Sequence, residues 1–573
     1  MAGAGAGVRL NPVAVEVIGN RLLSVVDEQQ AALVRTAFST IVRESEDLAC
    51  GVFDARGFMV AQSLTGTPGH INAMATGMRH IVAAARDAAP GDVFVTNDPW
   101  LTSGQVNDFT VATPVFHRDR LAGWFANCCH SPDVGGRVLS GDAAEVFEEG
   151  LRVPIMRLFR AGEPNEELLG IVRANVRTPD ETVGDLYAQT ACNDVGARSL
   201  RALLDEFELP TLAPVADEIV GRSEQAMRAA IRELRDGVYE GETTSDGVDD
   251  EPVRLHATVT VQGDELEIDF AGSSPQSRRG INVVLNYTHA YASFAIKAAL
   301  APEVPHNEGS FRPVHVSAPP GSILNALPPA AVGSRHVIGH FLPGVIFLAL
   351  AEALPGKLLA GGADSVWLNV IRGRLSESDW FSLSVFQAGG TGARATKDGL
   401  SATGFPTGVA GVPAEVIETL TPLVQHRREL RQDSGGAGRT RGGLGQLTEL
   451  SCRSGDEWQI SAMIDRTRFP GPPLEGGREG ALGEFTRNDG GERLPPKRLV
   501  RLAPGDRLHL NPPGGAGYGD PRERDPELVL RDVVDGYVSL EAAERDYGVR
   551  IVYTGPPDAL VRTPDLYRIE GRT

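Results

Sequence analysis

The stretch TNDPWLTSGQVNDFTV, Thr96–Val111, places two carboxylates and a glutamine between two strand-like runs. Asp98, Gln105 and Asp108 lie in its polar part, and the runs DVFV and FTVATPVF at its two ends are predicted strands. Carboxylates held near one pocket repel each other unless the fold supplies a cation, a proton or solvent. The stretch therefore suggests the hypothesis of a metal-binding loop between two strands.

The segments around this loop alternate between helices and strands through the first 140 residues. Asn11 is placed to cap a long amphipathic helix that has Pro12 at its first position. The following segments predict a hairpin in ACGVFDARGFMVAQS, a helix in INAMATGMRHIVAAARDA and a further strand in LAGWFANCCH. The N-terminal region is therefore predicted to be an α/β structure.

The rest of the chain changes character twice. Helical patterns extend from about 165 to 237, a β-hairpin and one more helix follow, and short strand-like runs rich in Gly and Pro begin near 310. We predict a large mixed α/β (α+β) fold in five segments: a disordered tail over 1–10, an α/β region with the active site over 11–160, a helical region over 161–240, a β-rich region with glycine-rich loops over 241–520, and a helical tail over 521–573.

Composition limits the partners that the chain is expected to bind. A sequence of 573 residues that is 42% hydrophobic, with no apolar run of membrane-spanning length, predicts a soluble globular protein. The net charge of -20 argues against nucleic-acid and anionic-membrane binding. Five cysteines without a CxxC pair, and an N-terminus without signal-peptide features, favour the cytoplasm.

Three glycine-rich stretches punctuate the second half of the chain, namely QAGGTGARATKDG, DSGGAGRTRGGLGQ and NPPGGAGYGDP. Such loops can cradle anions through backbone N–H groups. No GxxxxGK[ST] sequence occurs, and the second stretch precedes a strand-like run instead of a helix. Tight turns at sheet corners explain the glycines better, so we predict no nucleotide site in this chain.

Residues with metal-ligand chemistry stand in four N-terminal segments: Asp47 in RESEDLACGVFD, His70 in TPGHINAM, Gln105 and Asp108 in SGQVNDF, and His130 and Asp133 in CCHSPDVGG. Hard divalent ions take carboxylate and imidazole donors from the ends and loops of different elements. Ordinary structural roles fit as well: Asp47 as a cap between helix and loop, Asp108 as a turn residue, and His130 as a buried core histidine. From these residues alone, both explanations stay open.

The chain resembles the hydantoinase B/oxoprolinase family in long stretches that occur in the family's order. The first run extends from RESEDLACGVFDARGFMVAQ through TNDPWLTSGQVNDFTVATPVF to CCHSPDVGG. Further matches are PPGSILNALPPAAVGSRH, DSGGAGRTRGGLGQ and NPPGGAGYGDPRERDPELVLRDVVDGYVSLEAAERDYGV, so the resemblance covers about residues 11 to 550. Family members include subunits of N-methylhydantoinase, caprolactamase, and acetone and acetophenone carboxylases.

The resemblance implies one divalent metal ion held at the positions of Asp47, Gln105, Asp108 and His130. Gln105 departs from the family pattern, which has a histidine there, and Ser131 departs from a frequent aromatic residue or histidine. An amide oxygen is a harder and weaker donor than imidazole nitrogen. We therefore expect Mg²⁺ or Mn²⁺ in preference to Zn²⁺, or a site that has lost its metal.

Other residues near these ligands have two possible roles each. His70 follows a glycine-containing turn and opens a predicted helix, so a pocket role and a capping role fit equally. Asp133, before a Gly-Gly pair, fits a turn, although it or His70 is also a candidate catalytic residue that orients water or substrate. Cys128 and Cys129 suggest a nucleophile, but packing at a buried strand end explains them better.

The resemblance also implies a division of labour between two polypeptides. A partner A-type subunit with an actin- or acetate-kinase-like fold binds ATP and phosphorylates a carbonyl or enol oxygen, and the B-type subunit completes the reaction at its metal site. We rank an ATP-dependent cyclic amide hydrolase first and an ATP-dependent ketone carboxylase second. A metal-free structural or regulatory partner of the A-type subunit is the third hypothesis. A hetero-oligomer with two-fold symmetry is expected.

Overall fold

The computed structural model describes residues 11–249, 251–376, 379–488, 491–556, 559 and 561–572. The predicted disordered tail over 1–10 lies outside these residues. The described residues form two compact units, the first within 11–139, 143–238 and 258–335 and the second within 140–142, 239–257 and 336–572. Within the described ranges, no helix is both long and apolar enough to cross a membrane.

The helices are α1 (Pro12–Thr36), α2 (Thr40–Arg43), α3 (Pro68–Ala84), α4 (Glu166–Asn175), α5 (Pro179–Glu206), α6 (Ala213–Arg232), α7 (Leu285–Leu300), α8 (Glu308–Phe311), α9 (His336–Gly339), α10 (Leu342–Leu350), α11 (Ala414–Leu420), α12 (Pro526–Val534) and α13 (Leu540–Tyr547). Single 3₁₀ turns occur at Val146–Glu148, Pro521–Glu523 and Pro564–Leu566.

The strands are β1 (Leu48–Phe53), β2 (Met59–Gln62), β3 (Val93–Thr96), β4 (Asp108–His117), β5 (Arg120–His130), β6 (Met156–Arg160), β7 (Glu163–Pro164), β8 (Gly237–Val248), β9 (Glu251–Gln262), β10 (Glu265–Asp269), β11 (Val314–Ser317), β12 (Trp367–Arg374), β13 (Trp380–Gln387), β14 (Leu423–Leu430), β15 (Gln446–Cys452), β16 (Trp458–Ser461), β17 (Glu484–Arg487), β18 (Glu492–Arg493), β19 (Leu499–Leu502), β20 (Leu508–Asn511), β21 (Val549–Tyr553) and β22 (Tyr567–Arg572). The predicted mixed α/β (α+β) fold class is confirmed.

Helix α1 begins where the local sequence predicts it. The Asn11 side chain accepts a hydrogen bond from Val13 N at 2.9 Å, and Pro12 occupies the first helical position, where its missing N–H costs nothing. Apolar residues at helical spacing, from Val15 through Leu33, are buried along one face. The cap and the periodicity together specify both the start of the helix and the face that packs.

The core of the first unit is a seven-stranded antiparallel sheet in the order β2-β1-β5-β4-β3-β6-β7. Helix α3 packs in one hydrophobic cluster with Trp124, Ala126 and Cys128 of β5. Phe125 lies between Trp124 and Ala126 in β5, so its side chain points to the opposite face of the sheet. Helix α5 covers that face, since a Cβ added at its Gly196 would collide with the ring of Phe125. Burial of both faces explains the nearly continuous apolar runs in these strands.

Further elements of the first unit follow the sequence pattern. Helices α4, α5 and α6 form the predicted helical middle of the chain, and α7 forms over NYTHAYASFAIKAALAPE. Strand β10 pairs with β9 antiparallel, as the predicted hairpin requires, and with β11 parallel.

The two larger antiparallel sheets described in the second unit are ordered β13-β12-β16-β19 and β14-β15-β20-β17-β18. Side chains from both sheets share one core, which includes Trp367, Leu450, Trp458 and Leu510. The predicted helical tail contains α12 and α13, but it ends in the antiparallel pair β21–β22, which the helical prediction missed. Gly548, with φ of 65°, ends α13 and turns the chain directly into β21.

The three glycine-rich stretches pack against one another in the second unit. Gly443 N donates to the Thr391 carbonyl oxygen at 2.9 Å, and Gly515 N donates to the Gly443 carbonyl oxygen at 2.9 Å. A Cβ at Gly515 would collide with the Thr391 carbonyl oxygen. These glycines are therefore explained by close backbone approach between loops.

Candidate functional site

Three neighbouring strands of the large sheet bring the predicted ligands together at one end. Asp108 is the first residue of β4 and pairs directly with His130, the last residue of β5. Asp47 immediately precedes β1, and its carbonyl oxygen accepts a hydrogen bond from His130 N at 3.1 Å. All three are buried, with 6% of Asp47, none of Asp108 and 1% of His130 exposed. Strand register thus joins residues from three separate motifs.

Asp108 lies at the centre of the cluster. Its Oδ1 atom is 2.6 Å from Gln105 Nε2 and 3.0 Å from His130 Nδ1. Its Oδ2 atom is 2.9 Å from His70 Nε2 and 2.5 Å from Arg335 Nη2. The Gln105 amide nitrogen also lies 2.9 Å from His130 Nδ1. Both carboxylate oxygens of Asp108 therefore have two nitrogen neighbours each.

His70 reaches the cluster from the first turn of α3, the helix that packs on the face of Trp124, Ala126 and Cys128. It is 2% exposed, and its Nδ1 atom lies 3.6 Å from Asp47 Oδ1 while Nε2 faces Asp108. The N-cap residue Thr67 makes no side-chain cap and instead donates its hydroxyl to Asp47 Oδ1 at 3.0 Å. The start of α3 therefore serves the cluster, which favours the pocket role for His70 over the capping role.

Arg335 is the residue of the cluster that the sequence analysis missed. Its side chain is 3% exposed, donates through Nε to the Ser103 carbonyl oxygen, and stacks 4.0 Å above the ring of Tyr287. Arg335 stands within PPGSILNALPPAAVGSRH, which shows no helix or strand periodicity. The only sequence signal that could have pointed to it is the presence of a basic residue inside one of the matching family stretches.

The charges of the cluster stabilise one another. Burial alone would raise the pKa of Asp108, but His70 and Arg335 hold that pKa well below its ordinary value. Burial alone would lower the pKa of His70, but the carboxylates of Asp108 and Asp47 raise it above its ordinary value. Burial also raises the pKa of Tyr287 to about 12. The arrangement favours an ionised Asp108 beside an imidazolium.

The donor set fits one divalent ion in its chemistry. Asp47, Asp108 and His130 supply two carboxylates and an imidazole, which suit Mg²⁺, Mn²⁺ or Zn²⁺. Gln105 can contribute if its amide turns so that Oε1 takes the place of Nε2. Among the described residues, the buried atoms Gln105 Oε1, His130 Nε2 and His70 Nδ1 have no hydrogen-bond partner. These atoms leave the cluster with unused donor and acceptor capacity.

A second combination of groups marks a candidate metal site at the same place. Ligand-type atoms of His70, Asp108 and Cys128 lie within 4.8 Å of one another. Burial raises the pKa of the Cys128 and Cys129 thiols far above the ordinary range, and Ser103 Oγ lies 2.8 Å from Cys128 Sγ. A neutral thiol is a poor nucleophile, which argues against nucleophilic catalysis by either cysteine. The carboxylate-centred set shares Asp108 with this group.

Asp133 makes contacts with residues outside the Asp108 cluster. Its Oδ1 atom is 2.5 Å from Arg177 Nη1 and accepts a hydrogen bond from Gly135 N at 3.3 Å. Ser131 donates its hydroxyl to the Asp133 carbonyl oxygen at 3.1 Å. These contacts give Asp133 a structural part in the DVGG turn, and its catalytic role stays a prediction.

A buried group of acidic and basic side chains with opposed pKa shifts, collected at strand ends from distant segments, is typical of an enzyme active site. The chain belongs to the hydantoinase B/oxoprolinase family, which matches residues 11–521. The family predicted from the motifs is thereby confirmed.

The chain is also similar to a named relative and to two solved structures. It is 31% identical over 570 residues to the putative B-type subunit of a D-/L-hydantoinase of Pseudomonas sp. (strain NS671), covering 95% of this chain and 96% of that protein. A crystal structure of ATP-dependent caprolactamase from Pseudomonas jessenii superposes with a TM-score of 0.88 at 28% identity, covering 96% of this chain and 98% of that chain. A nucleotide-free acetone carboxylase shares the fold, with a TM-score of 0.87 at 20% identity, covering 98% of this chain and 81% of that chain.

Proposed function

We propose that the chain is the B-type subunit of an ATP-dependent hydrolase that opens a cyclic amide. The observation that carries this proposal is the buried cluster of Asp47, Asp108 and His130. The similarity of nearly the whole chain to the B subunit of a hydantoinase supports it. ATP is bound by a partner A-type subunit, which activates the amide by phosphorylation. A hetero-oligomer with two-fold symmetry is the expected assembly.

In this proposal, Asp47, Asp108 and His130 would hold one divalent ion, with Gln105 Oε1 as a fourth donor. When bound, such an ion would make a water molecule more acidic and would stabilise negative charge that develops at the attacked amide carbon. His70 orients Asp108 through the 2.9 Å contact with Oδ2. With that oxygen engaged, Oδ1 is the oxygen of Asp108 that faces His130 and Gln105.

A ketone carboxylase is the second candidate function, and the shared fold with acetone carboxylase favours it. In that case the same cluster would serve carbon–carbon bond formation with bicarbonate or CO₂. A metal-free structural or regulatory partner of the A-type subunit is the third candidate. The replacement of the family histidine by Gln105 motivates it.

The experiment is to co-express the chain with its A-type partner and to measure ATP hydrolysis with a panel of cyclic amides and ketones, with and without bicarbonate. We expect a cyclic amide to stimulate ATP hydrolysis and to be opened to its acyclic carboxylic acid without bicarbonate. Stimulation by a ketone only when bicarbonate is present would establish the carboxylase instead.

Asp108→Asn tests the cluster directly. We expect ring opening to fall roughly 100-fold or more, because the variant removes the charge around which the site is built. The matched control is Asp92→Asn, since Asp92 is also buried in the same unit but pairs with Arg157 away from the cluster. Full ring opening by assembled Asp108→Asn would contradict the proposal and leave the structural partner as the remaining hypothesis.

A further inference from the structure

Arg335 places a permanent positive charge inside the proposed metal site. A guanidinium remains protonated at every pH at which proteins fold. The group is held from three sides, by Asp108 Oδ2 at 2.5 Å, by the Ser103 carbonyl oxygen and by the ring of Tyr287 at 4.0 Å. With only 3% of its side chain exposed, its charge is weakly screened by solvent.

The same carboxylate is the central ligand of the proposed metal site. Arg335 lies on Asp108 Oδ2 together with His70 Nε2, and Gln105 Nε2 lies 2.6 Å from Oδ1. Gln105 is neutral, so it offers a dication no charge compensation. Because Arg335 is permanently charged, a dication that binds Asp108 must either displace its guanidinium or accept a like charge a few ångströms away.

We infer that Arg335 competes with a divalent cation for Asp108 and so sets the metal affinity of the site. The chain carries its own counter-cation, and metal binding requires the guanidinium to yield at least part of the carboxylate. The inference rests on the proposed function only through the location of the metal site. It adds a residue of this chain that weakens metal binding beyond the effect of the weak amide donor Gln105.

The test measures Mn²⁺ binding to the purified chain by isothermal titration calorimetry after chelator treatment and dialysis, with bound metal counted by mass spectrometry. No partner, ATP or amide is present, so the outcome is independent of ring opening. Arg335→Gln removes the charge and keeps a hydrogen-bond donor, whereas Arg335→Lys keeps the charge. We expect Arg335→Gln to bind one Mn²⁺ roughly tenfold or more tightly than wild type, and Arg335→Lys to stay near wild type.

Two controls assign the effect to the site. Arg79→Gln changes another arginine of the same unit, which pairs with Glu308 at 2.5 Å and stacks on Phe58, and it should leave Mn²⁺ affinity unchanged. Adding Asp108→Asn to Arg335→Gln should abolish the gained binding. If Arg335→Gln does not fold, Arg335→Met provides a second neutral side chain of similar length.

Equal or weaker Mn²⁺ binding by the neutral variant than by wild type would overturn the inference, as would no binding by either protein. A gain of affinity in Arg335→Lys as large as that in Arg335→Gln would also overturn it, because the charge would then not be the cause. If the inference fails in any of these ways, the cyclic amide assay still decides the proposed function separately.

Discussion

Glu149 provides a sharp test of the electrostatics behind the candidate site. Its Oε1 atom accepts a hydrogen bond from Gly333 N at 2.6 Å, two residues before Arg335, while its buried Oε2 atom has no partner among the described residues. Burial raises the pKa of Glu149 to about 8, although the backbone donors around Gly333 and the charge of Arg335 lower it in part. At neutral pH the carboxyl group is therefore mostly protonated.

The expected magnitude follows from linkage between protonation and folding. Between the ordinary carboxyl pKa and about 8, the folded state holds a proton that the unfolded state has lost, so stability falls as pH rises through this window. From pH 6 to the folded-state pKa of about 8 the pH rises by about two units, and above that pKa both states have lost the proton. At about 1.4 kcal/mol per unit, the free energy of unfolding falls by roughly 3 kcal/mol between pH 6 and pH 9. For a chain of this length that unfolds as one unit, this corresponds to a melting temperature change of about 2 °C.

The assay compares melting temperatures of wild type and Glu149→Gln at pH 6 and pH 9. Glutamine keeps the shape and cannot ionise, so the variant should lack the extra loss of about 2 °C on going to pH 9. Glu148→Gln is the matched control. Arg137 holds the pKa of Glu148 below its ordinary value, so Glu148 is ionised at both pH values. Its replacement should therefore leave the difference between the melting temperatures at pH 6 and pH 9 unchanged. An identical pH dependence in wild type and Glu149→Gln would refute the reasoning.

Two further substitutions test other contacts of the site. Gly69→Ala would place a methyl group 2.5 Å from the aromatic ring of Tyr287, which supports Arg335. The displacement of Tyr287 should lower the melting temperature by a few degrees and reduce amide hydrolysis, whereas Gly170→Ala, at an open position, should do neither. Gln105→His restores the family's imidazole donor and should retain more Zn²⁺ or Mn²⁺ than wild type after dialysis, as measured by mass spectrometry; equal metal content would show that residue 105 does not contact the ion.

Local patterns were sufficient for much of the fold. Asn11 and Pro12 specify the start of α1 because capping depends on groups within one turn. The alternation and turn residues around Gly57 likewise predict the β1–β2 hairpin. The hairpin β21–β22 was missed, since residues 554–566 separate its two strands, far more than the roughly two to five residues that indicate a hairpin in a sequence.

The candidate site divides in the same way. Asp47, Gln105, Asp108 and His130 could be named from the sequence, because they stand in contiguous motifs that resemble those of a known family. Their role as metal ligands stays a prediction, and the motifs alone specify neither the pairing of Asp108 with His130 nor the distances within the cluster.

The elements, the family and the residue types near the proposed metal could all be obtained from the order of amino acids. The position of Arg335 could not, because this residue lies 227 residues away from Asp108 along the chain and meets that carboxylate only after folding. Caps, turns and periodicity act over a few residues. The surroundings of a buried charge depend instead on which distant segments pack over one end of a sheet.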